Sequence, residues 1–352
     1  MTMPVPSDSS SARLHVAISP IAWGFWALLS LALCSLILVR QEQSPVGVSV
    51  VLRGDTDVQS RAVGTVPRDV PSGHVYQRIE SKNRMVLAEY GFVNFNNDPF
   101  RISYSLPSAE LTSYCQSYGY CDADLDALFQ WQKLTIADAL HNAREHNQTQ
   151  DEFNRARDLI VKEYNAKLHG LLQSRGFSRV KNNIYVADIP EVVKRNVVVM
   201  RPVSNQISAS AVKREYSSDE IISAALSLVQ TGLRYENVPD VIGGRHTGGI
   251  YPPAEALLKG EGDCDTKSAL LAAILLNWNR INLVGVSVPN HYLIGVLHNP
   301  TKGDAYVEYR GARYVLMEPA GPGWLPLGMV SQRTMALLKA GTEVSIQPFS
   351  VN

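Results

Sequence analysis

From Ile21 to Val39 the sequence carries no charged residue, and the run closes at Arg40 after a mildly apolar lead-in from Val16. A helix needs about 17 to 25 apolar residues to cross the hydrocarbon core of a bilayer, so residues 16–40 read as a membrane anchor. The run is long for the apolar region of a secretory signal peptide, although Ala32, Cys34 and Ser35 imitate a cleavage site. Ahead of it, residues 1–15 are rich in Ser and Pro and read as a disordered tail. Behind it, Pro45, Gly47, Gly54, Gly64, Pro67 and Pro71 punctuate a spacer over 41–83. The rest has to fold as a body, divided here into an N-terminal β/helical region over 84–203 and a second domain over 204–352.

Charge narrows the partners. Lys plus Arg and Asp plus Glu both number 33, and the pI is near 7.1, so the chain lacks the basic footprint of a nucleic-acid binder. The flanking charges, Arg13 against Arg40 and Arg53, barely orient the anchor. Cysteine usage points outward. Cys115 and Cys121 bracket the polar segment Gln-Ser-Tyr-Gly-Tyr, where a small disulfide can close in an oxidising compartment; the alternative is two unrelated reduced thiols. Cys34 lies in the anchor and Cys264 is left unpaired. The expectation is a single-pass membrane protein with a periplasmic or extracytoplasmic body.

Within the body, 84–95 and 100–106 are rich in aromatic and β-branched residues, and Asn96-Asn97-Asp98-Pro99 supplies turn chemistry between them, which predicts a hairpin. Phe153, Ala156, Ile160, Tyr164, Leu168 and Leu171 recur at helical spacing and predict a helix over 151–173, ended by Gly176. Its apolar stripe either packs on the body or docks a protein partner. The valine-rich stretch 192–203 predicts a strand, and Ser217-Ser218-Asp219-Glu220 opens a further helix with a capping pattern.

The segment from Leu257 to Leu271 carries the most chemistry. Gly260 and Gly262 permit a tight turn, and the stripe Leu270, Leu271, Ile274, Leu275 starts a helix near Cys264. Backbone N–H groups and the helix dipole at that end favour a thiolate, which predicts a thiol pKa lowered from its usual value. A buried structural cysteine is the alternative. Next, 281–288 alternates as a strand, Pro289-Asn290 interrupts it, and His291 opens another strand; alone, such a histidine is more often structural. Residues 313–318 read as a strand that ends in Glu318-Pro319, where a lone Glu is normally a solvated loop residue.

Together, Gly-Asp-Cys-Asp-Thr-Lys-Ser at 262–268, the strand-opening His291 and Tyr-Val-Leu-Met-Glu-Pro at 314–319 resemble the transglutaminase-like cysteine protease superfamily, over about residues 217–330. The resemblance implies an α+β fold: a papain/transglutaminase-like core with a catalytic helix packed on an antiparallel sheet. It implies Cys264 as nucleophile, His291 as general base and then acid, and Glu318 as the group that orients the imidazole. Leu233-Arg234-Tyr235 and Tyr251-Pro252-Pro253-Ala254-Glu255 resemble stretches that shape the substrate cleft. The sequence departs in carrying Glu where the family usually has Asp, and in a long hairpin that holds Asp304 and Glu308 as rival acids.

The expected activity is hydrolysis of amide bonds in a protein or peptide substrate of the envelope through an acyl-thioester, without a cofactor; amine transfer and deamidation share its first half. The alternative is a non-catalytic envelope scaffold that uses the same fold, with 151–173 as its docking helix. His141 and His146 do not share a helix face, and no His/Cys/Asp grouping has metal-ligand spacing. A phosphate-binding Gly-x-x-x-x-Gly-Lys loop is also missing from the sequence. Residues 243–249, rich in Gly, read as a mobile loop that either covers the cleft or lies plainly on the surface.

Overall fold

Three antiparallel strands build the first layer. The computed structural model describes residues 75–349, apart from 182, 183, 322, 341 and 342. Strands β1 (Tyr76–Lys82), β2 (Met85–Val93) and β3 (Pro99–Pro107) pair antiparallel in the order β1-β2-β3. In β3, Phe100, Ile102, Tyr104 and Leu106 are buried while Arg101, Ser103 and Ser105 face out, the period-two pattern of a sheet packed on one face. Asn97 takes the turn in the left-handed region at φ 65°. The expected hairpin is present, and β1 extends it into residues assigned to the spacer.

Helix α1 (Ser108–Ser117) and the short β4 (Tyr120–Cys121) lead into two long helices, α2 (Asp122–Glu145) and α3 (Gln150–Ser174), which pack on each other. The α3 helix covers the expected 151–173, and Thr149 caps it by accepting from the Glu152 N–H. Gly176, at φ 80°, turns the chain into the hairpin β5 (Phe177–Lys181) and β6 (Ile184–Ala187).

Helix α4 (Ile189–Val212) follows, and it replaces the strand expected over 192–203. The valines there belong to a helical stripe: Val192, Val193, Asn196, Val197, Met200, Val203, Ser204 and Ile207 are buried at three- and four-residue steps, and that face packs on β3 and the central helices. The helix also runs through the 203/204 boundary drawn from the sequence.

The central helices come next. Ser217 and Glu220 form the expected capping box ahead of α5 (Ser218–Thr231). After β7 (Arg234–Tyr235), β8 (Val241–Ile242) and β9 (Arg245–His246) come α6 (Pro253–Lys259), β10 (Glu261–Gly262) and α7 (Cys264–Leu275). From Thr266 to Leu275 every residue of α7 is buried, so this helix runs through the middle of the body, against α4, α5 and α6. Strands β11 (Leu283–Val288), β12 (His291–Leu297), β13 (Tyr306–Tyr309) and β14 (Ala312–Met317) form a meander; α8 (Gln332–Ala340) and β15 (Ser345–Pro348) follow. Their sheet has the order β13-β14-β12-β11-β15, antiparallel throughout, and α7 packs on β12.

Two expectations are corrected. The α+β body behind a transmembrane helix is instead, among the described residues, a mixed α/β assembly of eight helices interleaved with strands; β7 and β10 even pair in parallel across α6. Single-pass membrane placement with an extracytoplasmic body is the second. No helix among the described residues is long and apolar enough to cross a membrane. The longest ones carry charge along their length, as α2 does at Asp122, Asp126, Lys133, Asp138 and Arg144. The 16–40 run itself lies outside the described residues.

Candidate active site

Cys264 takes its place from the turn that precedes it. A Cβ added to Gly262 would stand 2.4 Å from Thr266 Cγ2, so only glycine lets the chain fold this closely onto the first turn of α7. Asp263 caps the helix, with Oδ1 accepting from the Thr266 N–H at 3.0 Å. Cys264 is thus the first residue of α7.

His291 takes its place from a two-residue hairpin. Val288 pairs with His291, Pro289 and Asn290 make the loop, and Asn290 adopts φ 56°. Beside β12, β14 runs antiparallel with Met317 opposite Ile294, so the chain delivers Glu318 next to the start of β12. His291 Nε2 lies 3.1 Å from Glu318 Oε1. Glu318 Oε1 also accepts from the Thr334 hydroxyl at 3.2 Å, and Oε2 from the Ser331 N–H at 2.6 Å. Burial pushes the Glu318 carboxyl up, but the hydrogen bonds from His291 and Ser331 outweigh it and hold the group below its ordinary value. An ionised carboxylate only accepts, so His291 presents Nε2–H to it and keeps Nδ1 as the basic nitrogen.

Cys264 and His291 line one cleft of about 480 Å³, together with Tyr235, Asn237, Asp265 and Gln347. Ala187 and Ile189 close it from the N-terminal side, so both halves of the body contribute walls. The thiol itself departs from expectation. Burial, then the Asp265 and Asp263 carboxylates, push it up to about 12, against a smaller opposing effect from the Tyr292 backbone N–H. Cys264 Sγ donates to Asp265 Oδ1 at 3.5 Å. Burial first, and then Asp263, raise Asp265 to about 6. At neutral pH Cys264 therefore rests as a thiol, with Asp265 and Asp263 on its flank and His291 lining the same cleft.

The rival acids are occupied elsewhere. Glu308 Oε1 accepts from Arg313 Nε at 3.0 Å, and Asp304 accepts from the Thr301 N–H and hydroxyl in its own turn. Residues 243–249 do not line the cleft; Arg245 and His246 pair with β4 and β8 instead. Cys115 and Cys121 are both free, against the expected disulfide, and burial pushes the Cys115 thiol to about 11. Asn237 and Gln347 went unnoticed in the sequence, since polar amides in loops and edge strands carry no periodic signal. Among the described residues no group of three or more His, Cys, Asp or Glu side chains gathers as a metal site. Comparison with protein-family models, with curated proteins and with solved structures finds no match to this chain.

Proposed function

We propose that the chain is a cysteine hydrolase of transglutaminase-like type that cleaves amide bonds in peptides or proteins through a thioester. One observation carries this reading: Cys264 and His291 open into a single cleft while a buried, ionised Glu318 holds His291 from behind. In this reading the Cys264 thiol gives its proton to His291 Nδ1 as Sγ attacks the carbonyl carbon, and Glu318 steadies the resulting imidazolium. The C–N bond breaks, His291 passes the proton to the departing amine, and the acyl group remains on sulfur. Water then yields a proton to His291 as its oxygen attacks the thioester carbon; the C–S bond breaks and the proton returns to Sγ. An amine in place of water gives transfer, so hydrolysis leads because water is always present. Since the thiol rests protonated, its activation accompanies substrate binding rather than preceding it.

The raised thiol also favours a second reading, in which the cleft binds a protein or polymer without chemistry. Limited iodoacetamide alkylation across pH, with the modified cysteines mapped by mass spectrometry, separates the two. A nucleophilic site requires Cys264 to label at a rate that falls in His291→Gln. Labelling that ignores His291, or none at Cys264, leaves the binding reading.

A further inference from the structure

Two fully buried polar side chains grip the backbone on the far side of Glu318. Gln230, at the end of α5, donates from Nε2 to Glu318 O at 2.8 Å and to Leu325 O at 3.1 Å, and its Oε1 accepts from the Leu325 N–H at 3.3 Å. Lys267, one turn along α7 from Cys264, donates from Nζ to Ala320 O and to Leu233 O, both at 2.9 Å. Their exposures are 1% and 0%. At Gly321, φ is 68° and a Cβ would stand 2.6 Å from Gln230 O, so the turn is pressed against the end of α5.

We infer that Gln230 and Lys267 are positioning residues that fix the Glu318–Ala320 turn, and through it the orientation of His291, relative to Cys264. The inference rests on the nucleophilic reading of that site. Its strength lies in the cost of the arrangement. A buried lysine facing only carbonyls loses its hydration and gains no counter-charge, whereas Met would fill a similar volume without that loss. Burial alone pulls Lys267 down to about 7. What the lysine supplies and Met cannot is a pair of donors at a set distance from the nucleophile, because Cys264 and Lys267 share one rigid helix. The carboxylate end of Glu318 is tied by His291, Ser331 and Thr334, and its backbone end by this clamp. Rotation of the carboxylate away from the imidazole then requires breaking one set or the other.

The test uses the full chain and no substrate. Gln230→Met and Lys267→Met, each alone and combined with Glu318→Gln, are compared by the rate of Cys264 alkylation with iodoacetamide and by thermal melting. A clamp acting through Glu318 predicts that each slows alkylation by roughly threefold to tenfold in the parent, yet has almost no effect once Glu318 is Gln, while the melting shifts are alike in both backgrounds. In Gln230→Met, the ring ¹⁵N shifts of His291 should also show loss of the single Nε2–H tautomer. That variant carries the test if Lys267→Met does not fold. Equal slowing in both backgrounds, or no slowing in the parent, overturns the clamp. If Glu318→Gln slows alkylation and the clamp variants do not, only the clamp falls; if Glu318→Gln itself changes nothing, the reading of the site falls with it.

Discussion

Three donors converge on the Glu318 carboxylate, and only one of them, His291, faces the cleft. Glu318→Gln keeps the shape but can turn an amide N–H toward His291 Nε2 and removes the charge that steadies an imidazolium. Turnover of an accepted amide or ester should fall on the order of 10²-fold, with the melt little changed, while Glu308→Gln, at an acid paired with Arg313, should turn over as the parent does. Steady-state kinetics on both variants checks this, and a dead Glu308→Gln beside an active Glu318→Gln would reverse the assignment. Asp265 offers a test of sign. Its carboxylate raises the Cys264 thiol, second only to burial, so Asp265→Asn should move the alkylation profile of Cys264 to lower pH. A profile moved upward, or unmoved, contradicts the electrostatics. The residue types and their order were legible in the sequence, but the direction of the thiol shift was not. A helix N-terminus can be read from Gly262 and the leucines that follow, whereas burial and the approach of Asp265 to sulfur exist only once the chain has folded.

At the scale of elements, short-range chemistry was legible and long-range burial was not. The capping box at Ser217, the turn at Asn97 and the loop at Pro289-Asn290 are set by residues within a few positions of one another, and each structure appears where the chemistry stands. Helix α4 defeats that approach, because a run of valines is β-like by propensity and helical only by the 3.6-residue spacing of the positions it buries. Helix α2 is less distinct in the sequence than α3 for the opposite reason. Most of its surface is exposed and Ala143 is its only buried residue, so the apolar period is faint. For α7 the turn is decisive. Gly262→Ala forces a Cβ into Thr266, at a cost of about 1–3 kcal/mol, and should slow alkylation of Cys264 because the start of the helix must shift. Denaturant unfolding with parallel alkylation measures both, and an unchanged rate would show that this turn does not set the thiol's position.

Across the whole molecule the helix that carries Cys264 is also part of the core, so stability and the candidate site are linked. Lys267 titrates at about 7 in the folded chain against 10.5 when free. Between those values the unfolded chain holds a proton that the folded chain has released, so this residue makes stability rise with pH. The Cys264 thiol, raised from 9.0 to about 12, acts in the opposite direction above pH 9, which leaves pH 7 to 9 as the clear interval. There the unfolding free energy of the parent should climb relative to that of Lys267→Met, and parallel curves in urea titrations would contradict the burial of a titrating lysine. The central claim is that Cys264 forms and releases an acyl-thioester with help from His291. Its most direct measurement is the intact mass of the full chain during reaction with p-nitrophenyl acetate. The account predicts one acetyl group, mapped to Cys264, absent in Cys264→Ala, and both formed and lost more slowly in His291→Gln. Acetylation confined to Cys115 or Cys121, or a Cys264 adduct indifferent to His291, would contradict it.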